Sequence, residues 1–379
     1  MNTDRKKRIG ILTIHAAHNY GSMLQAYALQ RTVEDLAPCA AVELIDYLPG
    51  FIMDGYSMNP LKNMRSPRML VKYCLDLPQR IRRSRSFGGF ARDCFHLSSK
   101  SYTNDAQLSA DASRWDMCIL GSDQVWNPEI VSRDRAFWLN FCQESYKASF
   151  ASSFGTTGIP ADYLAQLTDT LRDFDAIAVR EPSAKDMLAP ADKPITVTCD
   201  PVFLLTAGQW AALERKPENL PEHYVLLYGV ERNLHLEDLA RKAAEHYGLP
   251  LVDAGIRSNP MDYFGIHSPD YGPREFLYLV RHADFMATNS FHGTAFGTIF
   301  GKKCVSVLHR SRGTRILELA ELADRSGYIL PEDASPEELF RRFDQEHPED
   351  DSCLRQRIAE SKAYLRRILA QAAEEVRDG

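Results

Sequence analysis

Apolar residues in this chain fall into short continuous runs separated by longer stripes of helical period. Residues 8–15 read RIGILTIH, a strand buried on both faces; the turn AAHNYGS leads into a helical stretch at about 22–36, and AVELIDYL at 41–48 is a second strand. Strand, glycine-containing turn, helix and strand is how a parallel α/β sheet begins. The pattern loosens from 49 to 113 and then resumes. Strands are expected at 117–120, 147–154, 176–180 and 195–199, and a helix at 161–173. After Thr206 a second series follows, with strands at 224–230, 250–254, 284–288 and 303–308 and helices at 236–247, 273–282 and 294–300. The pattern therefore predicts an α/β protein of two doubly wound, Rossmann-like domains, residues 1–205 and 206–345, hinged near 200–206. The first carries an insertion at about 50–113. Leu354, Ile358, Leu365, Ile368 and Ala372 share one helical stripe, so residues 346–379 are expected to form a long helix packing back on both domains.

Composition narrows the classes. A length of 379 residues gives room for two cores, and a formal net charge of −6 argues against general nucleic-acid binding. The charge is uneven. Residues 62–100 hold ten basic side chains and two acidic ones, +8 locally. That segment reads as a solvated helical insertion, with helix at 69–77, or as a docking face for an anionic acceptor or a membrane surface. Eight scattered cysteines form no CxxC pair and no metal-ligand spacing. They are expected to be reduced thiols of a cytoplasmic protein. The start of the chain lacks the apolar core of a signal peptide, and no run approaches the ~20 apolar residues that span a bilayer.

Ligands of open parallel sheets bind beyond the C-terminal strand ends. Four polar sets fall there: Asn19, Tyr20, Gly21, Ser22 and Gln25; Ser122, Asp123, Gln124 and Asn127; Arg180 and Glu181; and Ser290, His292 and Thr294. The stretch ADFMATNSFHGTAFGTIFGK from Ala283 runs a strand straight into a helix. The first N–H groups of such a helix favour a phosphate or carboxylate, and Gly293 is expected to let it approach closely. His292 sits at the mouth of that turn, where a neutral imidazole would accept a proton. Arg180 ends a strand, where its planar fork suits a carboxylate or phosphate. Lys302, Arg310, Arg312 and Arg315 follow the histidine turn and offer further phosphate contacts. Read separately, each set also has a plain explanation as a turn, a cap or a surface ion pair.

Taken in order, Asn19-Tyr20-Gly21-Ser22-Met23-Leu24-Gln25, GSDQVWNP from Gly121, SFASSFG from Ser149, VREPSA from Val179, DPVFLL from Asp200 and TNSFHGTAFG from Thr288 resemble the polysaccharide pyruvyl transferase family. The resemblance implies a GT-B-like fold with the active site between the domains. It implies transfer of a pyruvyl group from phosphoenolpyruvate to a sugar of a cell-surface polysaccharide or its precursor, forming a ketal on two hydroxyls. His292 would be the catalytic histidine and Arg180 a ligand of the donor anion, with Asn19, Gly21, Ser22, Ser290, Gly293 and Thr294 around the donor. Asp123 would orient or deprotonate a hydroxyl. No cofactor and no metal is expected beyond phosphoenolpyruvate as co-substrate, and the acceptor sugar is free or carried on a lipid, the latter at the inner face of the membrane. One feature departs from the family. Many members carry a basic residue just before the histidine, where this chain has Ser290-Phe291, so another basic residue must substitute or the donor differs. Two other readings share the architecture: a glycosyltransferase using a nucleotide-sugar donor, and a non-catalytic sugar- or anion-binding protein.

Overall fold

The computed structural model describes residues 6–54, 67–256, 265–308, 313–331, 336–344 and 350–378. Its first sheet contains β1 (Arg8–Leu12), β2 (Ala41–Tyr47), β3 (Leu97–Tyr102), β4 (Met117–Leu120) and β5 (Tyr146–Ser149), in the order β3-β2-β1-β4-β5. All pairings are parallel. The bridges Ala148–Ala176 and Ser152–Val179 extend this layer to β6 (Ile177–Val179) and β7 (Ile195–Val197). The second sheet contains β8 (Val225–Tyr228), β9 (Leu251–Asp253), β10 (Phe285–Thr288), β11 (Cys304–Val307) and β12 (Ile329–Leu330), in the order β12-β11-β10-β8-β9, again all parallel. The strand order reverses direction between β1 and β4 and between β8 and β10. Those are the switch points where an open parallel sheet leaves a crevice. The central strands β4, β8, β10 and β11 are buried at every residue, which is why they read as unbroken apolar runs.

The two units share an apolar seam. Tyr20 stacks between Phe87 at 5.4 Å and Phe276 at 4.5 Å, and Trp210 meets Tyr27 at 5.8 Å. Phe87 lies on the helix Pro67–Cys94. The helix expected at 69–77 is thus longer, running from 67 to 94 through Pro78, with Gly88 and Gly89 also inside it. Its last turns are clamped against the second unit: Phe87 and Phe90 are buried, and Arg274 lies 3.5 Å from Asp93. Lys62 and Arg65 of the basic segment lie outside the described residues. The C-terminal helix Ser352–Asp378 returns to the first unit. Tyr364 donates to the carbonyl of Ser149 at 2.9 Å, and Ser361 Oγ accepts the N–H of Cys199 at 2.9 Å.

One expectation about cysteine is corrected. Cys118 and Cys142 form a disulfide, while Cys39, Cys94, Cys199 and Cys353 are free thiols. Cys118 sits in β4, and the chain around Cys142 folds back onto that strand just before β5. The pairing is a tertiary contact across 24 residues, with no spacing signature to betray it. Among the described residues no helix is long and apolar enough to cross a membrane.

Candidate active site at the facing strand ends

His292 is held by the strand-to-helix turn that follows β10. Thr288 Oγ1 donates to the Tyr228 carbonyl at 2.7 Å and accepts the N–H of Ser290 at 3.0 Å. Ser290 then caps the helix Phe291–Ile299, its Oγ accepting the N–H of Gly293 at 3.3 Å. This fixes His292 in the first helical turn with its ring only 7% exposed. The ring lies against the start of the helix Tyr20–Leu36, where a Cβ on Gly21 would fall 2.0 Å from Nδ1. Gly21 is therefore demanded by the approach of the histidine across the seam, not by a ligand.

The other edge of the ring faces Asp200. His292 Nε2 is 3.6 Å from Asp200 Oδ2, an ion-pair contact beyond hydrogen-bond range, and Nε2 is buried with no hydrogen-bond partner among the described residues. Asp200 is itself tightly held. Oδ2 accepts from Arg180 Nη1 at 2.8 Å and from Ser122 Oγ at 3.2 Å, and Oδ1 accepts the N–H of Val202 at 3.1 Å. Burial alone would raise the carboxyl, but the neighbouring His292 and Arg180 outweigh it and hold Asp200 well below the usual carboxylate range.

Arg180 stands behind this pair. Its three nitrogens are engaged by Glu181 Oε1 at 2.9 Å, Asp200 at 2.8 Å and Ser153 Oγ at 2.9 Å. Burial works against its charge, but the Glu181 and Asp200 carboxylates keep the guanidinium protonated. The expected direct grip on a ligand anion is thus replaced by a grip on Asp200: a buried arginine between two carboxylates is used internally. Its flat face lies 4.5 Å from the ring centre of Phe291, and Arg315 lies 5.8 Å from the same ring. Where a basic residue was expected beside the histidine, an aromatic ring bears two guanidinium groups instead.

Asp123 faces this group from the first unit. It has a left-handed backbone, φ 72°, at the end of β4, a conformation aspartate tolerates better than most residues. Its Oδ2 accepts from Ser22 Oγ at 2.6 Å and its Oδ1 from the N–H of Gln124 at 2.9 Å. Asp123, Ser22, Ser290, His292 and Arg315 all line one cavity of about 490 Å³. Asn19 also reaches it, though its side-chain Oδ1 caps the first helix by accepting the N–H of Ser22 at 3.3 Å. Phe51, Ile52, Ile130 and Val230 form its apolar wall.

Three expected contacts lie elsewhere. A Cβ on Gly293 would fall 2.2 Å from Thr288 Oγ1 and 2.9 Å from the Tyr228 ring, so that glycine serves helix-on-strand packing and not anion approach. Thr294 Oγ1 turns inward, donating to the Ser290 carbonyl at 3.1 Å and meeting Ser306 Oγ at 2.8 Å. The helix carries the chain back to the opposite strand ends, so Lys302 lies at the far side, donating to the Arg281 carbonyl at 2.9 Å. Arg310 and Arg312 lie outside the described residues. Conversely, two residues escaped the sequence reading. In sequence, Asp200 reads only as part of the hinge and of the DPVFLL segment. Glu318, on the helix Thr314–Leu322, had no local signal; burial first and Glu181 second raise its carboxyl to about 7.

A family model for polysaccharide pyruvyl transferases matches residues 19–311. The chain belongs to that family. No curated protein matches it. Among solved structures, the fold is similar to that of UDP-N-acetylglucosamine 2-epimerase from Rickettsia bellii, at 10% identity over 98% of this chain and 98% of that one, TM-score 0.53. UDP-GlcNAc 2-epimerase from Methanocaldococcus jannaschii is similar at 12% identity over 90% and 92%, TM-score 0.52. At such identities the likeness shows the GT-B-type fold alone, while the family match covers most of the cleft lining, though not Ile14, Ala17, Arg315 or Ile316.

Proposed function

We propose that this family member transfers the pyruvyl group of phosphoenolpyruvate to two hydroxyls of one sugar, releasing phosphate and leaving a cyclic ketal. The observation that carries the reading is that His292, paired with ionised Asp200, and Asp123, paired with Ser22, line one cavity. The donor brings a carboxylate and a phosphate. Arg315, lining the cleft beside Phe291, is the cation placed to receive one of them, and it takes the part of the basic residue that position 291 lacks.

The reaction needs one proton delivered to carbon and two removed from oxygen. As the donor's methylene takes a proton from the His292 imidazolium, its C2 becomes electron-poor and a sugar hydroxyl adds, giving its own proton to Asp123. The Asp200 carboxylate, 3.6 Å from Nε2, balances the charge of the imidazolium that gives up the proton. The C2–O bond to phosphate then breaks, phosphate taking the electron pair. The second hydroxyl closes the ring and its proton leaves with the phosphate. Placed proton transfer of this kind contributes ~10²–10⁴-fold. Arg180 and Glu181 work at one remove, keeping Asp200 ionised and fixed. The family match supports a polysaccharide sugar as acceptor. The apolar wall beside the polar floor suits a sugar carrying an apolar portion, such as a lipid-linked precursor.

The test is incubation with phosphoenolpyruvate and a panel of sugar glycosides. The reading expects inorganic phosphate in step with a product one pyruvyl ketal heavier than the acceptor. A product carrying a second sugar, formed only with a nucleotide-sugar donor, would replace the reading with a glycosyltransferase.

A further inference from the structure

A second cavity, of about 700 Å³, lies behind the His292–Asp200 pair. Three elements wall it. The turn Pro201–Leu204, which follows Asp200 and is capped by its Oδ1, contributes Leu204 and continues into Leu205. The helix Phe291–Ile299, which carries His292 in its first turn, contributes its last residues, Thr298 and Ile299. The C-terminal helix contributes Leu354, Ile358 and Lys362, and its Ser361 also holds the N–H of Cys199, next to Asp200, at 2.9 Å. One cavity therefore touches both elements that present the pair, each at its end away from the cleft.

The lining has a definite chemistry. Its floor is aliphatic, from Leu204, Leu205, Leu354 and Ile358. Its charged groups are Arg325, Arg355 and Lys362 against one carboxylate, Asp351, which is ion-paired to Arg355. The cavity thus carries two more cationic than anionic side chains. Arg325 is buried and oriented by donating to the Lys302 carbonyl at 3.1 Å. We propose that this cavity binds a small amphipathic organic anion and that its occupancy is felt at His292. The apolar body would lie along Leu205, Leu354 and Ile358, with a carboxylate or phosphate head toward Arg325 and Lys362. The volume falls within the range of small-molecule sites, and an aliphatic floor with a few convergent charges is their usual make-up. A ligand here bears on the Asp200 turn and on the foot of the His292 helix together. Any change it makes in their spacing alters the 3.6 Å approach of Nε2 to Oδ2, which is a coupling between two sites.

The probe is 8-anilinonaphthalene-1-sulfonate, an amphipathic anion whose fluorescence rises when bound, used with the full chain. Two variants report on the cavity: Ile358→Trp fills it, and Lys362→Glu reverses one rim charge. Binding is expected to be saturable, to persist at saturating phosphoenolpyruvate without competition, and to be weakened ~10-fold or more in each variant, the equivalent of ~1.4 kcal/mol. Displacement by decanoate or by decyl phosphate identifies the preferred head group, and displacement by neither overturns the proposal. The ¹⁵N signals of His292, assigned with a His292→Gln variant, should shift on probe binding in the wild type and stay put in Ile358→Trp. Neither readout uses turnover, so the outcome is independent of the pyruvyl-transfer reading. Equal probe affinity in both variants, displacement by phosphoenolpyruvate, or an unmoved His292 signal would each overturn it.

Discussion

Gly21→Ala is the sharpest single perturbation the structure offers. A methyl group there would lie 2.0 Å from His292 Nδ1, whereas ordinary contact begins at 3.4 Å. The ring must therefore retreat by 1.4 Å or the first helix must move away. The seam is densely packed on the helix side by Tyr20 between Phe87 and Phe276, so the histidine is the part that yields. A displacement of about 1 Å at a reacting group costs ~10²-fold in rate. The substitution is mild for the helix itself, where Gly→Ala is worth up to ~1 kcal/mol of added stability before overpacking of ~1–3 kcal/mol is set against it. The expected variant is folded, retains stabilisation by phosphoenolpyruvate, and loses pyruvyl transfer by ~10²-fold. Gly88→Ala is the matched control: a Cβ at Gly88 meets nothing within 4 Å, and activity should be unchanged. Thermal denaturation and single-turnover phosphate release measure the two quantities. Near-normal turnover in Gly21→Ala would refute the idea that the histidine's position is set across the seam.

Other consequences follow from the same geometry. Asp200→Asn should destabilise the fold by ~3–5 kcal/mol, because Arg180 keeps its charge but loses a buried partner, and should lower turnover with little change in donor affinity; a denaturant titration and a kcat/KM split separate the two. Arg315→Ala should raise the donor KM by ~10-fold, the equivalent of one lost charge-assisted contact, whereas Arg180→Ala should chiefly lower Tm; the reverse pattern would return the donor anion to Arg180. Glu318, with its carboxyl raised from 4.5 to about 7, binds more protons folded than unfolded across that interval. Stability should therefore fall as pH rises from 4.5 through about 7, and the fall should be smaller in Glu318→Gln, read as the difference in Tm between the two proteins.

Much of the fold was legible because central parallel strands are buried on both faces, and RIGIL, MCIL, VLLY and CVSV announce that burial as apolar runs. What stayed hidden lacked such a signal. β3, LSSKSY, is an edge strand with two buried residues, and its polar sequence reads as loop. The helix through Pro78 hid behind residues that usually end helices; tertiary contacts with His18, Tyr20, Tyr27 and Arg274 hold its last turns. For the site, His292, Asp123 and Ser22 were visible because strand ends in parallel sheets are where ligands bind. Asp200 was in hand as part of a motif, yet its use depends on Arg180 from 20 residues away and His292 from the other unit. Gly293 and Thr294 misled for the opposite reason. Small residues at a helix start serve anion binding or close packing equally well in sequence, and only Thr288 and Ser306 pressing against them decide between the two.

The central claim is that His292 moves a proton in a reaction whose donor is held by other groups. His292→Ala, compared with the wild type for thermal stabilisation by phosphoenolpyruvate and for ketal formation, tests it most directly. The account predicts that stabilisation is largely kept while transfer falls by ~10²-fold or more. Near-normal ketal formation in that variant would contradict it.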